Sequence, residues 1–234
     1  MNLLRLLFQR QIFAPMLALI FASGTCVALV ILRILTSRNI NYAFLIWNLF
    51  LAWLPLILAL LVRERCANGE QRGWKTSSLV VLWLLLFPNA PYILTDLVHL
   101  TTQFYPHFWV DMVLILLCAV TGLFLGFVSL YVMQSVMANK FGAAKSWLFV
   151  SCVSGLSGVG VYIGRFLRLN SWDMFLRPAT FYHRMDNWMT ESVLHLTTYT
   201  FSALFGIFLF VVYLMFYALT RLPKEFQMKP AEIE

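Results

Sequence analysis

The sequence predicts an all-α integral membrane protein, a bundle of about six transmembrane helices. Three observations predict it. Of the 234 residues, 61% are hydrophobic and 12% charged, whereas charged residues make up about 25% of an ordinary water-soluble domain. Apolar runs long enough to cross a bilayer recur from end to end. No stretch sustains the period-2 alternation that an outer-membrane barrel requires.

The spans fall over roughly 12–35, 42–62, 77–98, 108–133, 145–168 and 193–219. Arg5 and Arg10 precede the first and give it the look of a signal peptide. Its apolar run is too long for one, and FASGT before Cys26 is a poor lipoprotein cleavage site, so a retained helix is expected. The second span is a plain apolar run that ends in the basic loop carrying Arg63, Arg65, Arg72 and Lys75. The third is interrupted, as described below. Asp111 opens the fourth span, where a carboxylate near a helix N-terminus is favourable on structural grounds alone. The fifth carries small residues, with Gly160 and Gly164 as a GxxxG pair and Ser151 and Gly155 extending that face, a pattern that lets helices approach closely. The sixth opens on His195, one turn after Glu191, and continues inward through Thr198, Ser202 and Gly206.

The one long connection is 169–192, so residues 1–234 read as a single polytopic domain. The aromatic and charged residues of that connection suit a segment lying on the membrane surface. Cys26, Cys118 and Cys152 fall within spans and Cys66 in a basic loop, a spacing that suggests neither a disulfide nor a metal cage. The formal net charge of +7 is scattered over short loops, which speaks for membrane topology and against a nucleic-acid partner.

Lys and Arg counted on alternate sides set the orientation. Arg5, Arg10, Arg63, Arg65, Arg72, Lys75, Lys140, Lys145, Arg221, Lys224 and Lys229 share one side, against Arg33, Arg38, Arg165, Arg168, Arg177 and Arg184 on the other. Positive loops stay in the cytoplasm, so both termini are expected there. Every histidine and every aspartate then falls toward the outer side. His107, His183 and Asp186 are ordinary loop residues. Asp96, His99, Asp111 and His195 instead sit at the mouths of three spans.

The third span runs into FPNAPYILTDLVHL, residues 87–100. Pro88 and Pro91 lack an N–H, so the carbonyls of Leu84 and Phe87 are expected to lose their helical partners. A kink or break near Asn89 follows, with Asn89 as cap of the second half and Pro91 in its first turn. If that half is α-helical, Asn89, Tyr92, Asp96 and His99 share an arc of roughly 80°. A polar stripe on an oily half-helix has to face the bundle or a wet cavity. The plainer alternative is a capped kink with a polar tip at the interface.

Near the outer end of the fifth span the chain reads GVYIGRFLRLNSWD, residues 160–173. Arg165 and Arg168 lie at i,i+3, on the side where positive charge is disfavoured. Such arginines call for an anionic partner, in Asp96, Asp111 or Asp173 or in the phosphate or carboxylate of a substrate. The alternative is snorkelling to lipid headgroups. Asn170 and Asp173 follow, and Trp172 suits an interfacial belt.

FPNAPYILTDLVHL followed by GVYIGRFLRLNSWD resembles the bacterial membrane family called domain of unknown function 1361, with Leu169 standing where an aromatic residue is expected. The resemblance implies a bacterial multi-pass protein of the cytoplasmic (inner) membrane and carries no activity with it.

Three functions fit these residues. The first is an enzyme acting at the outer membrane face on a lipid or lipid-linked anionic substrate. Asp96 and His99 would be its acid/base pair, Asn89 its oxyanion donor, and Arg165 and Arg168 its anion-binding groups. Tyr92, Asp111, Asn170, Asp173 and His195 would support them. A version with a divalent metal uses Asp96, His99, Asp111 and His195 as ligands, although a lone DxxH is a weak metal signature. The second function is a transporter or binding protein for a small anion, built on a proline-broken span; with six spans and no visible inverted repeat, it would need to work as a homo-oligomer. The third is a structural subunit whose polar face is buried against another membrane protein.

Overall fold

In the computed structural model the described residues are 10–37, 40–69, 73–101, 108–166 and 192–221, with the isolated positions 178, 179, 182, 183 and 186. The side chains of residues 10–13, 41, 99, 101 and 192–197 lie outside that description. No strand occurs among the described residues, and six helices are long and apolar enough to cross a membrane. They are α1 (Arg10–Ser37), α2 (Ala43–Ala67), a composite third span, α5 (Phe108–Phe141), α6 (Ala143–Phe166) and α7 (Ser192–Leu219). The composite span comprises α3 (Trp74–Leu86), the single α-turn α4 (Asn89–Tyr92) and a 3₁₀ segment over Ile93–Thr101. Cys66 lies in the last turn of α2 rather than in a loop.

Why α5 is the centre follows from its sequence. Its most apolar stretch is 67% buried, against 22% for the first and last spans. Its 34 residues make a rod of about 51 Å, longer than the hydrocarbon core of about 30 Å. One residue, Gly142, separates it from α6. Its φ of 88° is the left-handed conformation that glycine adopts without strain, and its N–H caps the Ala138 carbonyl at 2.9 Å. α1, α2, the third span and α6 all pack on α5, while α7 packs mainly on α6.

Close packing comes from glycines. On α5, the sequence GLFLG places Gly122 and Gly126 on one face. A Cβ at Gly122 would lie 2.9 Å from the Ala90 carbonyl oxygen, and one at Gly126 would lie 3.0 Å from Ala90 Cβ. On the far side, a Cβ at Gly160 would meet Pro88 Cγ at 2.7 Å. The interrupted turn is therefore gripped between α5 and α6.

The small residues of α6 do not form the one face expected of them. Ser151 and Gly155 are exposed, and Gly155 has open space around it. From Gly155 to Gly160 the helix turns about 500°, which leaves the two some 140° apart. Ser154 and Gly158 instead meet Ser202 and Gly206 of α7. There Gly158 abuts the Ser202 backbone, and a Cβ on Gly206 would lie 3.1 Å from Gly155 Cα. Thr198, Ser202 and Gly206 face inward as the sequence suggests.

Buried polar groups away from the span ends are mostly satisfied locally. Trp83, fully buried, donates from Nε1 to Ser129 Oγ at 2.7 Å, and the Tyr213 hydroxyl donates to Gln134 Oε1 at 2.6 Å. Ser129→Ala should leave the Trp83 N–H unanswered and cost about 1–3 kcal/mol. Chemical denaturation in detergent, with tryptophan fluorescence as the readout, would check this.

Candidate functional site

The interruption of the third span is milder than two prolines suggest. Phe87 and Pro88 keep right-handed helical dihedrals. The Phe87 carbonyl accepts from Ala90 N–H at 3.1 Å, and the Pro88 carbonyl from Tyr92 N–H at 3.0 Å. The expectation that Phe87 loses its partner is thus corrected, because an i+3 donor replaces the missing i+4 one. Asn89 is likewise not the cap. Pro88 holds that position, and Asn89 Nδ2 is buried without a hydrogen-bond partner among the described residues.

Beyond Tyr92 the chain winds as 3₁₀, not α, over nine residues. Four of them, Ile93, Thr95, Val98 and Thr101, are β-branched and crowd an α-helix. Thr95 Oγ1 also donates to the Tyr92 carbonyl at 2.7 Å. A 3₁₀ helix has three residues per turn, and burial follows that period. Ile93 and Asp96 form the buried edge; Leu94, Leu97 and Leu100 are half-buried; Val98 is exposed. The expected α-helical stripe through Asn89, Tyr92, Asp96 and His99 is therefore replaced by a sharper edge on which Asp96 stacks beneath Ile93. The backbone of His99 comes one turn after Asp96, and its side chain lies outside the described residues.

Asp96 is 1% exposed and holds two spans to its own. Its Oδ2 accepts from Asn48 Nδ2 of α2 at 2.8 Å, and its Oδ1 accepts from Arg165 Nη1 of α6 at 3.2 Å. A buried carboxylate in a bilayer has to be answered by donors of this kind. Arg165 thus finds one of the three partners anticipated from its position.

Asp111 goes elsewhere. It is fully buried and takes a bidentate grip from Arg33 of α1, with Nε to Oδ1 at 2.6 Å and Nη2 to Oδ2 at 3.0 Å. Tyr42 flanks that guanidinium, its ring centroid 5.6 Å from Cζ. Asp96 and Asp111 therefore answer two different arginines at the same end of the bundle. Both arginines lie at the end of the bundle with the fewer Lys and Arg in the sequence, and each is met there by an aspartate. Among the described residues no group of three or more His, Cys, Asp or Glu stands close enough to hold a metal ion.

Arg168, Asn170 and Asp173 lie outside the described residues, as do Glu191 and the side chain of His195. Tyr92 is half-buried at the turn. One participant escapes the sequence reading. Asn48 is a lone amide inside the apolar run AFLIWNLFLAW, which is itself the signal that could have found it. Cys26 and Thr121 also meet, Sγ to Oγ1 at 3.5 Å, with the Cys118 thiol as a neighbour.

A family model described as protein of unknown function, DUF1361, matches residues 47–217, most of the chain. The chain belongs to this family. The matched region of this DUF1361 protein includes Asn48, Asp96, Asp111 and Arg165, so the Asn48–Asp96–Arg165 contact lies wholly inside it. Arg33, which grips Asp111, precedes it. Searches of the curated proteins and of the solved structures find no match.

Proposed function

We propose that this DUF1361 protein works in the cytoplasmic membrane of a bacterium, with both termini inside, and that it recognises an anionic group on a lipid or lipid-linked molecule at the outer face. The Lys and Arg count supports that orientation. The observation that carries the reading is the Asp96–Arg165 pair. A guanidinium is fixed where positive charge is disfavoured, by a carboxylate 1% exposed that Asn48 anchors from a third span. A guanidinium is the side chain best suited to phosphate or carboxylate.

In this reading Asp96 is a positioning residue, because its two oxygens are already engaged. Arg165, with Arg168, holds the anion. His99, one 3₁₀ turn from Asp96, moves the proton, and Asn89 supplies the unused buried amide for a developing negative charge. Tyr92, Asn170, Asp173 and His195 are assigned supporting roles from their places in the sequence, the last three lying outside the described side chains. Asp111 is not part of it, since Arg33 takes both its oxygens. For the same reason the divalent-metal version, which needs Asp96 and Asp111 as co-ligands, is not the reading adopted. A second reading has an observation in its favour: with Asp96 answered on both oxygens, the cluster serves as a purely structural stitch across three spans.

His99→Ala and Arg165→Lys separate the two. The reading expects normal insertion and yield for both variants, with loss of at least 90% of whatever change the wild type makes in the lipid profile of expressing cells, followed by mass spectrometry. A lipid profile that is identical with wild type, either variant or no protein would overturn it. Accumulation of an unchanged anion in sealed vesicles would mark transport in place of chemistry.

A further inference from the structure

Where α1 and α5 diverge, at the same end of the bundle as both ion pairs, they leave a groove of about 640 Å³. That volume falls in the range of small-molecule sites, about 300–1,000 Å³. Leu29, Leu32, Val110 and Val113 form its walls, and Trp109 and Thr36 stand at its rim beside Arg33. Those four wall residues are exposed, yet they belong to helices that cross a membrane. What covers such walls in a bilayer is hydrocarbon.

Arg33 makes the groove more than a lipid-facing surface. A guanidinium has five N–H donors. Two of Arg33's go to Asp111 and a third meets Tyr42, whose ring also lies against the guanidinium, which leaves two for a further acceptor. The side chain is 12% exposed and lines the groove itself. Arg33 thus stands in the lining of an apolar groove, fixed by a carboxylate and still part-exposed.

We propose that this groove holds a glycerophospholipid of the surrounding bilayer, one acyl chain between α1 and α5 and the phosphate on Arg33. Charge complementarity selects the headgroup, and the aliphatic walls select the chain. Burying methylenes there is favourable against water but gains almost nothing against the bilayer interior. Retention above neighbouring lipids therefore comes from the phosphate contact. The site uses neither Asp96 nor Arg165, so it is independent of the proposed function and its failure would leave that reading untouched.

The test uses the full chain in vesicles of phosphatidylethanolamine and phosphatidylglycerol. The probe is a phosphatidylglycerol bearing a photoactivatable diazirine near the carboxyl end of one acyl chain, close to the headgroup. Labelling mapped by peptide mass spectrometry is expected on segments 29–36 and 109–114 at ten-fold or more over segment 204–215 of α7, which is equally lipid-exposed. Diacylglycerol with the same diazirine is expected to lose that preference. Val113→Trp, which fills the groove without touching the ion pair, should lower groove labelling at least five-fold. Arg33→Lys, which keeps the charge, should lower it less than Arg33→Gln. Labelling spread evenly over α1, α5 and α7, equal preference for diacylglycerol, or indifference to Val113→Trp would each overturn the proposal.

Discussion

Gly158→Ala is expected to prevent or strongly weaken the docking of α7 on α6. A single methyl there would collide with the carbonyl oxygen of Ser202 and approach Gly206 N at 3.0 Å. Both obstacles are backbone, so no side-chain rotation relieves them. The helices would have to part along the seam, giving up the dispersion contacts that hold transmembrane helices together. Overpacking of this kind costs about 1–3 kcal/mol or more. Gly155→Ala, three residues away, meets open space and should be neutral or slightly stabilising, since Ala is the better helix former. Thermal unfolding in detergent, followed by loss of the monodisperse peak in size-exclusion chromatography, compares the two. Equal melting temperatures for the two variants would show that this seam is not as tight as its backbone contacts imply.

Asp96→Asn is the second large effect. It removes the carboxylate that Arg165 Nη1 faces and leaves an amide beside Asn48. Breaking one side of a buried ion pair costs about 3–5 kcal/mol, while replacing both partners by apolar groups of similar size is often neutral. The double variant Asp96→Leu with Arg165→Met should therefore fold better than Asp96→Asn alone. If the cluster is only a stitch, that double variant is fully functional in cells. If Arg165 binds the anion, it is folded and inactive. Yield of inserted protein and the lipid profile, measured on the same cultures, read the two quantities separately.

The six spans were legible because length and hydropathy decide them, whatever the neighbours do. The third-span interruption was legible for the same reason, two residues without an N–H. The winding after it was not. β-Branched residues such as Ile93, Thr95, Val98 and Thr101 only weakly disfavour an α-helix, and many stand in the other spans as well, so the 3₁₀ winding over Ile93–Thr101 left no decisive mark in the sequence. Arg165 announced itself by standing on the wrong side of the charge pattern. Arg33 carried the same signal, yet its partner Asp111 already had a sufficient local explanation as a helix N-terminal carboxylate. Side-chain partners across 69 or 78 residues of chain leave no periodic trace in a single sequence. The glycine pair of α5, GLFLG, went unread although its spacing stands in the sequence, and the fifth span's small residues misled because they lie on two faces.

The tighter winding also sets a length. At about 2.0 Å per residue the nine-residue 3₁₀ tip extends roughly 18 Å, where an α-helix would give about 13.5 Å. In a span wound in this manner, the height of the tip is set by the choice of coil. Rewinding Ile93–Asp96 as α would draw the carboxylate back by about 1.5 Å and swing it by about 60°, away from a partner now at 3.2 Å.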